Sequence, residues 1–176
     1  MSLSHAVLTS LLEKASSGYD LARRFDKSIG YFWHATHQQI YRELARMEAA
    51  GWIESRAAPD AGKTRKREYR VLPAGRAELV RWSHLPSPPM DLRDEFMVKL
   101  RADAALREVD LGPELQRQIA QHQEKLAHYL AIEARDFTDG RSLPREARIQ
   151  HMILKKGILY EQVSISWARE MLEVLA

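Results

Sequence analysis

Gln38, Gln39, Tyr41, Arg42 and Arg46 share one nine-residue stretch, and Lys63, Arg65, Lys66 and Arg67 crowd another of five. Amides and guanidinium groups can bond base edges in pairs, a phenol can reach a phosphate oxygen, and clustered cations neutralise a polyanion. That chemistry needs the first group on one face. At about 100° per residue from Ile40, Leu44 and Met47 stay within about 40° of it and form a buried stripe. Gln38, Arg42 and Ala45 then lie opposite, at about 160°, 200° and 140°, with Gln39, Tyr41 and Arg46 on the flanks. Any amphipathic helix carries a polar side, so this face alone is equally a solvated one. The second stretch adds weight: with Arg70 it holds five cations in eight residues, which repel one another unless solvent or a polyanion screens them. A solvated charge run remains its alternative.

Other chemistries find less support. The chain has no Cys, which excludes disulfides, thiol catalysis, iron–sulfur clusters and Cys-bearing zinc sites. His34 and His37 straddle a cap without a neighbouring carboxylate, so no metal site is expected. There is no phosphate loop, HExxH spacing or activated nucleophile, so neither an enzyme nor a cofactor is expected.

The elements that must position these groups follow from periodicity. Of 176 residues, 45% are hydrophobic and 29% charged, the balance of an ordinary folded chain. No apolar run is long enough to span a membrane, and the start lacks a signal-peptide pattern, so a cytoplasmic location is expected. The net charge of +3 is uneven: 14 basic and nine acidic residues up to Arg81 give +5, leaving −2 downstream. Val7, Leu8, Leu11 and Leu12 predict a first helix. Ser17 with Asp20 caps a second that carries Leu21, Ala22 and Phe25 and stops near Gly30, and Thr36 with Gln39 caps a third that ends at Gly51. Trp52 to Ser55 and Arg67 to Leu72 predict two paired strands around the basic loop. Pro73 opens a fourth helix. This order is a winged helix-turn-helix, residues 1–84, followed by a proline-rich linker, 85–90.

Residues 91–176 predict helices only. After Pro113, Leu115, Ile119, His122, Leu126 and Tyr129 recur at spacings of four and three, a coiled-coil-like seam that Glu133 interrupts. His122 on that seam is either a satisfied core histidine or a pH-sensitive interface residue. Pro144 opens the last helix, which is apolar on more than one side and so needs more than one partner. The expected fold is mainly α, with a helical dimerisation domain across a two-fold axis at Ile149, Ile153, Gly157, Tyr160, Val163, Trp167 and Met171. Phe96, Tyr129, Tyr160 and Trp167 are candidates for an aromatic effector site, or else core.

Leu3-Ser4-His5-Ala6-Val7-Leu8, Ser17-Gly18-Tyr19-Asp20-Leu21, Gly30-Tyr31-Phe32-Trp33 and Gln39-Ile40-Tyr41-Arg42-Glu43-Leu44 resemble the ordered motifs of the PadR family of bacterial transcriptional regulators. The resemblance continues through Gly51-Trp52-Ile53, Arg67-Glu68-Tyr69 and Gly75-Arg76, and Arg93 to Leu100 is similar to the entry of the long subfamily's helical domain. It implies a homodimer on an inverted-repeat DNA operator, typically a repressor relieved by a small phenolic or drug-like effector, with some members activating instead. It further implies that Gln38, Gln39, Tyr41, Arg42 and the wing bases touch DNA. Lys14-Ala15-Ser16 and Pro73 depart from the family pattern, which usually has a proline and a threonine there. Two other readings are a ligand-independent activator and a helical protein-interaction module with weak DNA binding.

Overall fold

The computed structural model describes residues 3–26, 29, 33–57, 67–87, 93–138 and 143–176. Gly30, the wing residues Lys63, Arg65 and Lys66, and the turn at Asp139-Gly140 lie outside them. The chain forms two compact units, residues 1–90 and 91–176.

The first unit runs α1 (Leu3–Glu13), β1 (Ser16–Ser17), α2 (Gly18–Asp26), α3 (His37–Ala49), β2 (Ile53–Ala57), β3 (Arg67–Val71) and α4 (Pro73–Ser83). The apolar faces of α1, α2 and α3 meet in one core of Val7, Leu8, Leu11, Leu21, Ala22, Phe25, Ile40, Leu44 and Met47, closed from the sheet side by Ile53. Trp33 and Trp52 pack against it. The sheet has three strands in the order β1-β3-β2, all pairs antiparallel, with Ser16 opposite Tyr69 and Ile53 opposite Val71. The expected hairpin therefore gains a strand. Two serines are too short a segment to show an alternation, so β1 is visible only through its pairing. Ser17 closes β1 and opens α2: its Oγ accepts from Asp20 N at 3.2 Å and donates to the Asp20 carboxylate at 2.7 Å. Pro73 occupies the first turn of α4, where a missing N–H costs nothing.

The second unit is α5 (Glu95–Leu106), α6 (Gly112–Asp136) and α7 (Arg145–Leu175). Asp94 caps α5 by accepting from Phe96 N and Met97 N at 2.9 and 3.3 Å. Its core joins Phe96 and Leu100 to Leu111, Leu115 and Ala168. Along α6 the seam Leu115, Ile119, His122, Leu126 and Tyr129 is the covered side. Glu133 does not end that seam. His151 of α7 meets it at 2.6 Å and stacks on Phe137, centroids 4.7 Å apart. The second polar joint is His122 with Glu161, a carboxylate buried in α7. The pairs His122–Glu161 and Glu133–His151 fix α6 and α7 as antiparallel neighbours. Pro144 stands at the cap of α7, one residue before the helix that it was expected to open.

Candidate nucleic-acid interface

The N-terminus of α3 is fixed by a reciprocal cap. Thr36 Oγ1 accepts from Gln39 N at 3.2 Å, and Gln39 Oε1 accepts from Thr36 N at 2.8 Å. Ile40, Leu44 and Met47 face inward with at most 1% exposure, so the helix cannot rotate without breaking the core. Gln38, Gln39, Tyr41, Arg42, Ala45 and Arg46 are accordingly exposed. These residues share one outward surface, although Gln39 commits its carbonyl oxygen to the cap.

Arg46 and Tyr41 have positions set by neighbours. Arg46 donates to Glu43 Oε2 at 2.7 Å and also meets Ser4 Oγ, while Ser4 Oγ donates to the same carboxylate oxygen at 2.8 Å. Burial pushes the Glu43 carboxyl up, but the hydrogen bonds from Arg46 and Ser4 and the charges of Arg46 and Arg42 outweigh it, leaving a net lowering. Glu43 thus stays ionised and moors α3 to α1. The ring of Tyr41 lies on Gly18 at the start of α2: a Cβ there would come within 2.5 Å of Tyr41 Cε1.

The wing is tied to the same helix. Glu48 Oε1 accepts from Ser55 N at 3.1 Å and lies 3.6 Å from Arg67 Nη2, which also donates to Ser55 O at 3.3 Å. Arg67, the first residue of β3, therefore lies beside α3. Burial, followed by the Glu48 charge, raises the Tyr69 hydroxyl pKa, so Tyr69 stays neutral. Adjoining this surface, α2 presents exposed Tyr19 with the Arg23 guanidinium 5.6 Å from its ring centre. Periodicity reveals the buried side of α2 and is silent on these two, because an outward position constrains no residue type.

His37 has a carboxylate partner, Asp26, at 2.8 Å, eleven residues earlier and so hidden in the local sequence. Among the described residues no group of three His, Asp or Glu side chains is arranged to hold a metal. No helix there is long and apolar enough to cross a membrane.

The four aromatic candidates of the second unit divide between buried and exposed positions. Phe96 is buried in the α5–α7 core, and Tyr129 is buried on Gly157, whose missing Cβ would lie 3.1 Å from the ring. Tyr160 and Trp167 face outward, 61% and 36% exposed. Of the α7 residues expected at a dimer face, Ile149, Ile153, Tyr160, Val163 and Trp167 are exposed. Gly157 and Met171 turn inward, Gly157 admitting the ring of its own α6 and Met171 packing on the core. The close approach that Gly157 permits is therefore made inside one chain.

Residues 7–81 match the model of the PadR-like family of transcriptional regulators, and residues 92–176 match the C-terminal domain named for the virulence activator alpha. A protein of Mycobacterium tuberculosis named as a probable transcriptional regulator is 41% identical, the match covering 99% of this chain and 98% of that protein. The virulence activator AphA of Vibrio cholerae superposes with a TM-score of 0.82 at 33% identity, over 99% of this chain and 98% of its own. PadR of Bacillus subtilis superposes in complex with operator DNA (TM-score 0.86, 26% identity, all of both chains) and in complex with p-coumaric acid (0.77, 28%, 98% of both). A winged helix with C-terminal helices, similar over nearly its full length to regulators, this chain is a member of the PadR-like family of DNA-binding transcriptional regulators.

Proposed function

We propose that the chain is a homodimeric repressor that reads an inverted-repeat operator with α3, grips phosphates with the wing, and releases DNA on binding a small phenolic or drug-like effector. The outward face of α3 carries this reading. Gln38 and Arg42 supply paired donors and acceptors for base edges, Tyr41 and Arg46 reach the backbone beside them, and Ala45 lets the helix approach closely. Lys63, Arg65, Lys66 and Arg67 supply the charge for the phosphate grip. The operator complex of Bacillus subtilis PadR supports the DNA partner, and its p-coumaric acid complex supports a phenolic effector. Residues 1–84 form the DNA-binding domain, 85–90 the linker and 91–176 the dimerisation and effector domain, located in the cytoplasm.

The dimer face is the outward side of α7, at Ile149, Ile153, Tyr160, Val163 and Trp167. Two copies joined there present two recognition helices to half-sites about 34–36 Å apart, or a multiple of that. With Phe96 and Tyr129 packed, the effector meets Tyr160 and Trp167. The packing of those first two aromatics also favours a second reading, a regulator that activates without a ligand.

A mobility-shift assay on the DNA upstream of the chain's own gene, with and without phenolic acids and cationic dyes, decides between them. Sharp binding lost on adding a phenolic acid supports the repressor. Binding indifferent to every compound moves the assignment to the second reading, and weak binding equal on any sequence defeats both.

A further inference from the structure

Gly18 opens α2 directly after its cap residue Ser17 and is buried there. Its backbone is helical, and among the described residues the glycine with a positive φ is Gly51, so no left-handed turn calls for glycine at position 18. A helix is less stable with glycine than with alanine. What glycine supplies here is room. A Cβ built on Gly18 would lie 2.5 Å from Cε1 of Tyr41, 3.2 Å from Cδ1 and 3.4 Å from Cζ. These three atoms form one edge of the ring, and Cζ carries the hydroxyl.

Tyr41 belongs to α3 and is 45% exposed. The rotation of α3 is fixed by Ile40 and Leu44, which are buried on either side of it in sequence. The remaining freedom of the phenol is its own staggered torsions. A side chain that must be ordered on binding costs entropy, which one already seated does not.

We propose that Gly18 is a positioning residue for DNA binding: its bare Cα seats the Tyr41 ring in one orientation and so presents the Tyr41 hydroxyl to a backbone phosphate. This inference rests on the reading of α3 as the helix that meets DNA. A side chain at position 18 pushes the ring off its seat. Because the ring is the free end of a half-exposed side chain, the ring gives way and the fold remains.

Gly18→Ala, Tyr41→Phe and the double variant are made in the full chain. Their affinities for the DNA upstream of the chain's own gene and for a random duplex are measured by fluorescence anisotropy, and their stabilities by urea titration. Y41F should bind about fivefold more weakly, the size of one neutral hydrogen bond, and on both duplexes, since a phosphate carries no sequence. G18A should lose the same amount while keeping a cooperative urea transition, and should lose nothing further in the Y41F background, as for two changes that remove one contact. That dependence on the hydroxyl is what a merely structural glycine would not show. Undiminished binding by G18A overturns the proposal, as does an equal loss with and without the hydroxyl. A loss confined to the upstream DNA overturns the phosphate as the partner. Undiminished binding by Y41F overturns the contact itself and leaves α3 reading DNA through Gln38 and Arg42, whereas a natural protein that binds neither duplex overturns that reading as well. Should G18A lose its urea transition, G18A with Tyr41→Ala decides: restored folding places the obstruction at the ring, and continued unfolding overturns the proposal.

Discussion

The two units close their cores by different means. In the first, Val7, Leu8, Leu21, Ala22, Phe25 and Ile40 have no exposed surface at all, because three helices and a sheet surround one point. In the second, the core is a small cluster where α5 meets the ends of α6 and α7, while large apolar side chains line the outer side of α7. Its antiparallel helix pair joins histidine–carboxylate contacts to apolar packing. The contrast fits the tasks proposed for the two units: the one proposed to read DNA is finished by itself, and the one proposed to organise it would be finished by association.

The largest effect should come from breaking the unfinished side. Val163→Asp places a charge on the proposed dimer face of α7 and should convert the dimer to monomers. Losing the second half-site contact should then cost operator affinity about 10²- to 10⁴-fold, the usual gain from joining two binding modules. Sedimentation and mobility shift on the same sample measure both. A monomer with undiminished affinity would dissolve the division of labour. Next in size, Leu8→Ala attacks the finished side. A buried leucine truncated to alanine costs about 2–5 kcal/mol, whereas Ile153→Ala, on the exposed proposed dimer face, should leave the monomer's own stability nearly unchanged and weaken only the dimer. Urea titrations over a range of protein concentrations separate the two.

The same contrast explains what could be read in the residues themselves. The first unit's helices were legible because each has one buried side: Ile40, Leu44 and Met47 locate both the core and, by opposition, the face proposed to read DNA. The capping spacings Ser17 to Asp20 and Thr36 to Gln39 located two helix starts. β1 was not legible, since two serines acquire strand geometry only from the edge of β3. The mooring of Arg46 was not either, because Ser4 lies 42 residues away on another element. In the second unit the periodicity of α7 gave too many apolar sides and no way to divide them. Gly157 in particular pointed to a close helix approach without saying whose helix, and the structure supplies Tyr129 of the same chain. Glu133 looked like a break in the seam because a charge is compatible with an interface only when its partner is known, and that partner sits 18 residues on.

A smaller effect sharpens the reading of α3. Arg42→Ala should cost about 1–3 kcal/mol of operator binding and relax preference at one base pair, while removing Lys63 should weaken binding on any sequence and reduce the salt slope by about one. Fluorescence anisotropy on operator and random duplexes across a salt series distinguishes these. Equal losses on both duplexes for both variants would remove Arg42 from base recognition.

The smallest expected effect tests how the finished unit holds its edge. Glu78 of α4 receives Arg81 at 2.7 Å and His5 of α1 at 3.0 Å, and His5 stacks on Trp82 with ring centres 4.6 Å apart. Hydrogen bonds from Arg81 and His5 outweigh burial and hold the Glu78 carboxyl at about 2, below its ordinary 4.5. A carboxylate whose pKa is lowered by folding contributes stability above its unfolded value and loses it as pH falls towards the folded one. The contribution of Glu78 should therefore be complete above about pH 4.5 and vanish near pH 2. Glu78→Gln should be less stable than the natural protein at pH 7, with the difference narrowing through that window. Urea midpoints at pH 7, 4 and 3 measure it. A difference independent of pH would mean that Glu78 acts by packing α4 onto α1 and not by its charge, and would leave the first unit's edge as apolar as its centre.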